Sequence, residues 1–590
     1  MIGLKKKTYW FIFLIFFLIY FVFFLLFNSY HLIYQEQTQL FLFDRYYFAS
    51  FLIKPGGISS WLGVFLTQFY QSTFAAASIV TGTGILLFLL TASILRHYRM
   101  KGIVWPLIPV ILAGALQCSQ LYLMGTTAGL LISLSFFRLY IGIIDNRYRY
   151  LAGIVCCSLL WFVAGSFGLL VSALCIMHEL LFTKVQYRFI ISIIYLGMAF
   201  LIPFVSARLA YYIKGSEIWM PLLPLSLKKQ LHPFIFVLFL YFPVLMAFSA
   251  FAGKIPENRY FTGWNWFTIT SGLVILGSLS FYIYRNVYDV KTEIVLQIDN
   301  YVQKGKWQKA LESAFNYPGT NQLVLYYGNM AMYKTGQMGD NMFHLPQSGI
   351  QGLWLEWKRN EITPFFGGEL FYQLGYISEA YRWAFESMVA MGENPRSLKR
   401  LVITSLITGD TSLSRHYINI LDKTLFYRKW AHSYRIMLNQ PEILVRNSEI
   451  MEKKHFNMNT DVFADIKGKD IGLIQLLKDH PDNRMAFEYY MAQSLLNKDI
   501  DRFAAGLSKL RELGFLRLPV NYEEAILVYM SHSKKNIIPE GYSISRETVS
   551  RLSGYLKIMN NCGNDRRKAF QMLYPDYRGT YWFYLNFGKN

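Results

Sequence analysis

Long apolar runs fill the first half of the chain, and they limit its fold more than any other feature. The first run, Thr8 to Phe27, holds about twenty apolar residues, which is the length that a helix needs to cross a bilayer. It is longer than the apolar core of a signal peptide and lacks a small-residue cleavage site, so we expect it to remain as a transmembrane helix. Eight further runs predict a bundle of about nine spans: Ser72–Leu95, Ile103–Ser119, Leu121–Ile144, Leu151–Ser166, Phe167–Phe182, Phe189–Leu209, Phe234–Gly253 and Thr268–Tyr284.

Basic residues in alternate loops predict the orientation of these spans. Five short segments are all rich in Lys and Arg, at residues 5–7, 96–101, 146–149, 184–188 and 254–259. Cytoplasmic loops carry such an excess of positive charge. The sequence therefore predicts an integral inner-membrane protein whose N-terminus is cytoplasmic and whose chain after Asn286 is periplasmic.

The composition changes near residue 290 and predicts two domains, a transmembrane domain over residues 1–286 and a helical domain over residues 287–590. The first carries 20 Lys and Arg against 6 Asp and Glu, and the second carries 38 against 31. Because the excess of positive charge is concentrated around the apolar runs, it fits membrane topology and anionic headgroups, and we expect no nucleic-acid partner. Cys562 is the only cysteine after residue 290, so the second domain holds no internal disulfide and no Cys/His zinc motif.

Four ionisable residues lie in or beside the predicted spans, toward their cytoplasmic ends: Arg138, Asp145, His178 and Glu179. Snorkelling or a local pair explains residues in such positions. No charged or broken-helix feature occurs at mid-depth in matching repeats, so the pattern does not favour a transporter.

Two large outer loops, at residues 28–71 and 210–233, hold the candidate functional residues. Glu36 and Asp44 are the acidic residues of the first loop. After the turn signal Pro55-Gly56-Gly57, apolar residues recur at helical spacing from Ile58 to Phe69 and predict a helix lying flat on the outer interface. In or beside the second loop stand four basic residues that run against the topology rule: Arg208, Lys214, Lys228 and Lys229.

This layout resembles that of the polytopic glycosyltransferases of the GT-C class: a long first outer loop with early carboxylates, an interfacial helix, many spans and an outer C-terminal domain. The resemblance implies a polyprenyl-phosphate-linked sugar donor, and it implies that an acidic residue soon after the first span acts as catalytic base. Glu36 matches that residue by position, and Asp44 is the second candidate. The resemblance covers about the first 290 residues, and these contain no paired-acid DxD or DE motif, so no metal or other cofactor is predicted. At the scale of the whole chain, the sequence also resembles a bacterial membrane protein family of unknown function with a TPR-like tail.

The chemistry of such a transferase needs a base and a positive site. A carboxylate within hydrogen-bond reach takes the proton of the attacking hydroxyl, and positive charge stabilises the departing phosphate. Arg208, Lys214, Lys228 and Lys229 are the candidates for binding the donor phosphate. Plainer interpretations stay open: Glu36 as a hydrogen-bonded loop acid, the basic residues as contacts to lipid headgroups, and His31 as an interfacial side chain.

The second half of the chain reads as a series of helix pairs. Four segments align as one unit, an apolar helix end, a polar turn and a second amphipathic helix: residues 301–315, 371–385, 406–420 and 496–510. Gly305, Gly375 and Gly409 occupy the turn in the first three, as expected where a helix closes in the left-handed conformation. The pattern resembles tetratricopeptide repeats and predicts an α-solenoid, with new helices starting near Pro318, Pro395 and Pro441.

The aromatic residues of this half should mostly fill the core. The set considered is Tyr326, Tyr327, Trp354, Trp357, Trp383 and Trp430. Residues 455–470 lack periodicity and predict a loop. The last residues, 577–590, are rich in aromatics, so we expect them to pack onto the last repeat.

Two functions fit the sequence. In the first, the protein is a glycosyltransferase that uses a polyprenyl-phosphate-linked donor on the outer face, and the TPR-like tail recognises the acceptor or a protein partner. In the second, the spans anchor a TPR-like scaffold that binds periplasmic proteins without catalysis. Nine spans exceed what an anchor requires, which favours the enzyme.

Overall fold

A computed structural model of the chain describes residues 2–588 except 101, 121, 212–214, 216–217, 220–233, 253–265, 359, 361 and 459–471. Over the described residues, every regular element is a helix, and the one β-bridge joins Ser348 to Ile350. The predicted all-α class is therefore confirmed. By their contacts the residues form two compact units: Met1–Asp289 with Lys423–Phe426, and Val290–Asp422 with Tyr427–Asn590.

The first unit contains twelve described helices. Their bounds are α1 Ile2–Leu26, α2 Ser29–Gln37, α3 Arg45–Leu52, α4 Gly57–Thr67, α5 Thr73–His97, α6 Val104–Gln117, α7 Met124–Gly142, α8 Asn146–Ala164, α9 Phe167–Phe182, α10 Arg188–Leu209, α11 Phe234–Ala252 and α12 Trp266–Val287. A 3₁₀ turn, Gln68–Gln71, links α4 to α5.

Each of the nine predicted apolar runs coincides with a helix, but only six of the described helices are long and apolar enough to cross a membrane. These are Tyr9–Leu26 of α1, Thr73–His97, Met124–Gly142, Asn146–Ala164, Arg188–Leu209 and Phe234–Phe251. The apolar helices α6 and α9 have 14 and 16 residues. At about 1.5 Å per residue they reach about 21 and 24 Å, against about 30 Å for a bilayer core.

The amphipathic helix predicted after Pro55 forms as α4, and its small residues face the protein. Gly57, Ser59, Gly63 and Thr67 are its buried positions. At Gly63 an added Cβ would lie 2.2 Å from the backbone nitrogen of Gly125 on α7, so only glycine permits this approach. The aromatic side chains of α4, Trp61 and Phe65, are instead half-buried in an aromatic cluster that also contains Phe41, Phe48 and Phe69.

A buried ion pair joins α8 to α9. Arg149 Nε donates to Glu179 Oε1 at 2.8 Å, and the Tyr140 hydroxyl of α7 donates to the same oxygen at 2.6 Å. Of the two explanations left open for Glu179 by the sequence, snorkelling and a local pair, the structure shows the local pair. His178 shares a hydrogen bond with Tyr98, Arg138 donates to Ser93, and Asp145 caps the start of α8.

The second unit contains eighteen described helices. Their bounds are α13 Val290–Gln303, α14 Trp307–Phe315, α15 Gln322–Lys334, α16 Met338–Asn341, α17 Ile362–Leu374, α18 Ile377–Met391, α19 Pro395–Thr408, α20 Thr411–Asp422, α21 Arg428–Asn439, α22 Pro441–Leu444, α23 Ser448–His455, α24 Leu473–Asp479, α25 Arg484–Leu496, α26 Ile500–Gly506, α27 Val520–Ser533, α28 Arg546–Cys562, α29 Arg566–Tyr577 and α30 Tyr581–Phe587.

One turn geometry recurs between these helices. Gly305, Gly375 and Gly409 have φ values of 65°, 85° and 80°, as predicted, and Gly336 and Lys498 occupy the same position with 71° and 59°. In each case the residue's N–H and the next N–H donate back to the closing helix, and the following helix begins two residues later. This is the hydrogen-bond pattern of a Schellman cap.

Prolines start two of the three predicted helices. Pro395 and Pro441 occupy the first turn of α19 and α22. Near Pro318 a helix also starts, but α15 begins four residues later, at Gln322, behind an Asn321 cap whose side chain accepts from two backbone N–H groups.

Aromatic side chains fill much of the second unit's core, as predicted. Tyr326, Tyr327, Trp354 and Trp383 are buried, whereas Trp357 and Trp430 are half-buried. The predicted loop at 455–470 begins inside α23, which ends at His455, and most of it lies outside the described residues.

The last residues pack as predicted, although against more than one neighbour. Trp582 donates to the Glu524 carbonyl of α27, and the Tyr584 hydroxyl donates to the Leu496 carbonyl of α25.

Candidate functional site

The short helix α2, which follows α1, buries a set of polar side chains. Asn28, Ser29, His31, Gln35 and Glu36 are all buried. Buried polar groups are costly unless they are hydrogen-bonded, so their concentration on one nine-residue helix and the Asn28 residue before it calls for an explanation beyond packing. We call these residues and the groups that face them the α2 polar cluster.

Glu36 is the buried carboxylate of this cluster. Its residue is 3% exposed, and Gln71 Nε2 lies 3.4 Å from Oε1. Gln71 belongs to the 3₁₀ turn before α5 and is itself exposed. The buried carboxylate therefore lies within hydrogen-bonding distance of a residue that reaches the surface.

His31 and Gln35 lie one turn apart on α2 and face the connection between α6 and α7. Gln35 Nε2 donates to the Tyr122 carbonyl at 3.1 Å and lies 3.5 Å from His31 Nε2. Burial lowers the pKa of His31 to about 4, and a hydrogen bond to the Ser119 backbone opposes that effect. The imidazole is therefore neutral near pH 7, with one donor and one acceptor nitrogen.

A chain of polar side chains continues from this connection into the helices. Gln117 Nε2 on α6 donates to Thr127 Oγ1 at 2.9 Å, and Thr127 donates to the Tyr122 hydroxyl at 3.2 Å. All three side chains are buried, so the α2 polar cluster extends onto α6 and α7.

Several buried polar atoms of this cluster have unused hydrogen-bonding capacity. Three of them lack a partner among the described residues, Asn28 Nδ2, Gln35 Oε1 and Gln117 Oε1, and so does Tyr70 Oη in the 3₁₀ turn that also contains Gln71. Native proteins leave few such groups unpaired, and a concentration of them is typical of a site that receives a polar ligand or ordered water.

An apolar groove of about 530 Å³ lies between α1, α6 and α12. Its walls are aliphatic and aromatic, from Phe11 and Ile12 on α1 to Tyr288 after α12. Phe24 and Cys118 line the groove and also pack in the apolar cluster that contains Leu32 of α2. The groove therefore lies next to the α2 polar cluster.

Asp44, the second predicted acid, caps α3. Oδ1 accepts from the Tyr46 and Tyr47 backbone N–H groups, and Oδ2 accepts from Lys423. The Lys423 hydrogen bond, followed by that from Tyr46, lowers the pKa of Asp44. A carboxylate so stabilised in its charged form is a weaker proton acceptor than an ordinary aspartate.

Of the four basic residues predicted to bind phosphate, Arg208 is described. It is exposed in the last turn of α10, and its guanidinium lies 4.6 Å from the Phe204 ring centroid. Lys214, Lys228 and Lys229 lie outside the described residues.

Most of the α2 polar cluster escapes prediction from sequence. The interpretation of His31 as an interfacial side chain is wrong, since it is buried against Ser119. Gln117 stands inside an apolar run, and a glutamine in that position is the one signal that pointed to a polar contact on α6.

Comparison with known proteins gives one result. Neither a curated protein nor a solved structure matches the chain. A family model matches residues 5–588, nearly the whole length, in agreement with the resemblance to a membrane protein family of unknown function. The chain belongs to the family of unknown function DUF6057.

Proposed function

We propose that this protein is a membrane glycosyltransferase of GT-C type that takes its sugar from a polyprenyl-phosphate-linked donor. The observation that carries the proposal is the α2 polar cluster, in which the Glu36 carboxylate is buried among polar groups with unused hydrogen-bonding capacity. A concave apolar surface beside a few convergent polar groups is the usual composition of a ligand site.

The groove between α1, α6 and α12 supports a lipid-linked donor. Its lining is almost entirely apolar. An isoprenoid group bound there would have an apolar environment similar to the one it has in the lipid bilayer. The carrier chain would lie in the groove, with its phosphate and sugar toward the α2 polar cluster.

Glu36 is the proposed general base. The acceptor hydroxyl gives its proton to the carboxylate, and its oxygen forms a bond to the anomeric carbon as the bond from that carbon to the phosphate oxygen breaks. The electron pair of the broken bond leaves with the polyprenyl phosphate. Arg208, Lys214, Lys228 and Lys229 are proposed to balance the charge of that phosphate.

The proposal places the reaction on the outer face of the inner membrane. It combines nine spans with a cytoplasmic N-terminus and a periplasmic second unit, following the basic loops at residues 96–101, 146–149 and 184–188. We propose that the second unit is a TPR-like solenoid that presents the acceptor. Its five equivalent turns support the repeated helix pairs of such a solenoid.

The test replaces the proposed base. Glu36→Gln keeps the shape of the side chain and removes the proton acceptor, so a loss of roughly 10² to 10⁴ in transfer rate is expected. The glycans of exported proteins and surface polysaccharide are compared in cells that carry the wild type, Glu36→Gln or a complete deletion. Glu312→Gln, the same change at an exposed acid of α14, is the control, and membrane levels of all variants are measured.

Three outcomes separate the alternatives. Glycans lost in both the deletion and Glu36→Gln support the proposal. Glycans lost in the deletion and retained in Glu36→Gln keep the enzyme and reject this base, and Asp44→Asn is then the next substitution. Glycans unchanged in the deletion end the transferase proposal.

The alternative is a membrane-anchored scaffold, and the helix pairs of the second unit favour it. Such pairs offer surfaces for extended protein segments. If the protein is a scaffold, cells that carry Glu36→Gln should show none of the effects of the deletion. Partner proteins should be lost from the membrane fraction only in the deletion.

A further inference from the structure

Three side chains with metal-binding atoms meet in the second unit. One ligand atom each from His455, His480 and Asp482 lies within 4.8 Å of those of the other two. His455 ends α23, His480 follows α24, and Asp482 stands in the connection to α25. We propose that these three residues form a binding site for a first-row divalent metal ion, with Zn²⁺ as the expected occupant.

The ligand types suit zinc. Imidazole nitrogen and carboxylate oxygen bind Zn²⁺ at about 2.0–2.2 Å, and tetrahedral geometry separates the ligand atoms by about 3.3 Å. His455 Nε2 and Asp482 Oδ2 already stand 2.7 Å apart, so a small opening of this pair admits the ion. Three protein ligands leave a fourth position for water or for a group on another molecule.

A partner of His480 also fits metal binding. His480 Nε2 lies 3.0 Å from the Asn457 carbonyl oxygen. Donation from Nε2 to that carbonyl leaves Nδ1 with the lone pair, and this is the arrangement in which metal-binding histidines are usually oriented by a backbone carbonyl.

The surrounding structure holds the ligands in place. Lys453, in the last turn of α23, donates to the Gln373 carbonyl at 2.8 Å, and Asn483, next to Asp482, donates to the Leu374 carbonyl at 2.8 Å. The end of α23 and the connection between α24 and α25 are thus both held by hydrogen bonds to the last turn of α17. A metal site needs this kind of support, because ligands that are already positioned lose less conformational freedom on binding.

The simpler account is a surface His–Asp pair. Its two members are more than half exposed, and exposed ion pairs contribute little to stability. That account predicts no saturable metal binding, since it gives His480 no role.

In the experiment, Zn²⁺ alone is titrated into the purified full-length protein in detergent at pH 7.5, and the heat of binding is measured by calorimetry. We expect one equivalent of saturable binding. Affinity should fall at least tenfold in His455→Ala and in Asp482→Asn, both exposed positions that tolerate substitution. His432→Ala, which removes an exposed histidine of α21, should bind as the wild type does.

Two results would overturn the proposal: no saturable binding to the wild type, or equal affinity in wild type, His455→Ala and Asp482→Asn. Co²⁺ provides a second readout. A bound tetrahedral ion gives visible absorption that His455→Ala should remove and His432→Ala should keep.

Discussion

Glu524 on α27 shows how burial fixes the charge of one residue. Burial raises the pKa of its carboxyl to about 8, and the hydrogen bond from the Tyr581 N–H opposes that rise. Its ordinary pKa is 4.5, so between pH 4.5 and 8 the folded protein holds a proton that the unfolded chain releases. Stability from this residue is therefore full below pH 4.5 and falls as the pH rises toward 8.

We predict that Glu524→Gln removes this loss. Glutamine keeps an oxygen for the Tyr581 N–H and has no proton to lose, so the variant should match the wild type near pH 5 and exceed it by a few kcal/mol above pH 8. Thermal unfolding of the full-length protein in detergent, followed by tryptophan fluorescence, measures the difference. Glu512→Gln at an exposed acid is the control, and parallel pH curves for wild type and Glu524→Gln would contradict the prediction.

Single residues also show where sequence reasoning stops. The glycine signal found the turns at Gly305, Gly375 and Gly409, yet Lys498 adopts the same left-handed conformation with φ of 59°. Lysine rarely adopts it, so the sequence contains no marker for this turn. His31 was misplaced for a different reason: its partner, Ser119, is distant in sequence, and one chain does not reveal which residues meet.

Helices were predicted far better than their packing. Apolar length located the helices of the first unit, and α9 has the predicted ends, Phe167 and Phe182, because turns on both sides interrupt the apolar pattern. The face of α4 that packs inside was not predicted. Periodicity identifies an apolar stripe, but the close approach of Gly63 to Gly125 requires the small-residue face to turn inward.

We predict that Gly63→Ala destabilises the first unit. The added methyl group would lie 2.2 Å from the Gly125 nitrogen, so α4 must move away from α7 at a cost of about 1–3 kcal/mol. A lower melting temperature of the detergent-purified protein is the expected result. Gly82→Ala on α5 is the matched control, since an added Cβ there meets nothing within 4 Å, and equal melting temperatures for the two variants would contradict the prediction.

At the scale of the whole molecule, the composition change near residue 290 anticipates a division that the contacts place after Asp289. Only the structure assigns Lys423–Phe426 to the first unit. Local composition shows whether a segment is apolar or charged. Four residues inside a stretch of mixed composition are too few for their composition to show which unit they pack against.

Topology is the prediction at this scale. A periplasm-dependent reporter such as alkaline phosphatase, fused after the last residue, should be active, and the same reporter after Lys101 should be inactive, because residues 96–101 form one of the basic loops that the topology rule predicts to be cytoplasmic. Reporter activity is normalised to the amount of fusion protein. Activity after Lys101, or none at the C-terminus, would reject the nine-span arrangement.

The Arg149–Glu179 pair bears on how the chain enters the membrane during synthesis. Arg149 stands near the start of α8 and Glu179 near the end of α9, and the two helices are consecutive. A ribosome exposes Arg149 thirty residues before Glu179. Arg149 lies in the basic segment 146–149, which the topology rule predicts to be cytoplasmic and in contact with water, whereas the Glu179 side chain is fully buried, and a buried carboxylate without its partner is costly. The translocon should therefore release α9 against an α8 that is already in place, so that the carboxylate is paired as soon as it is buried.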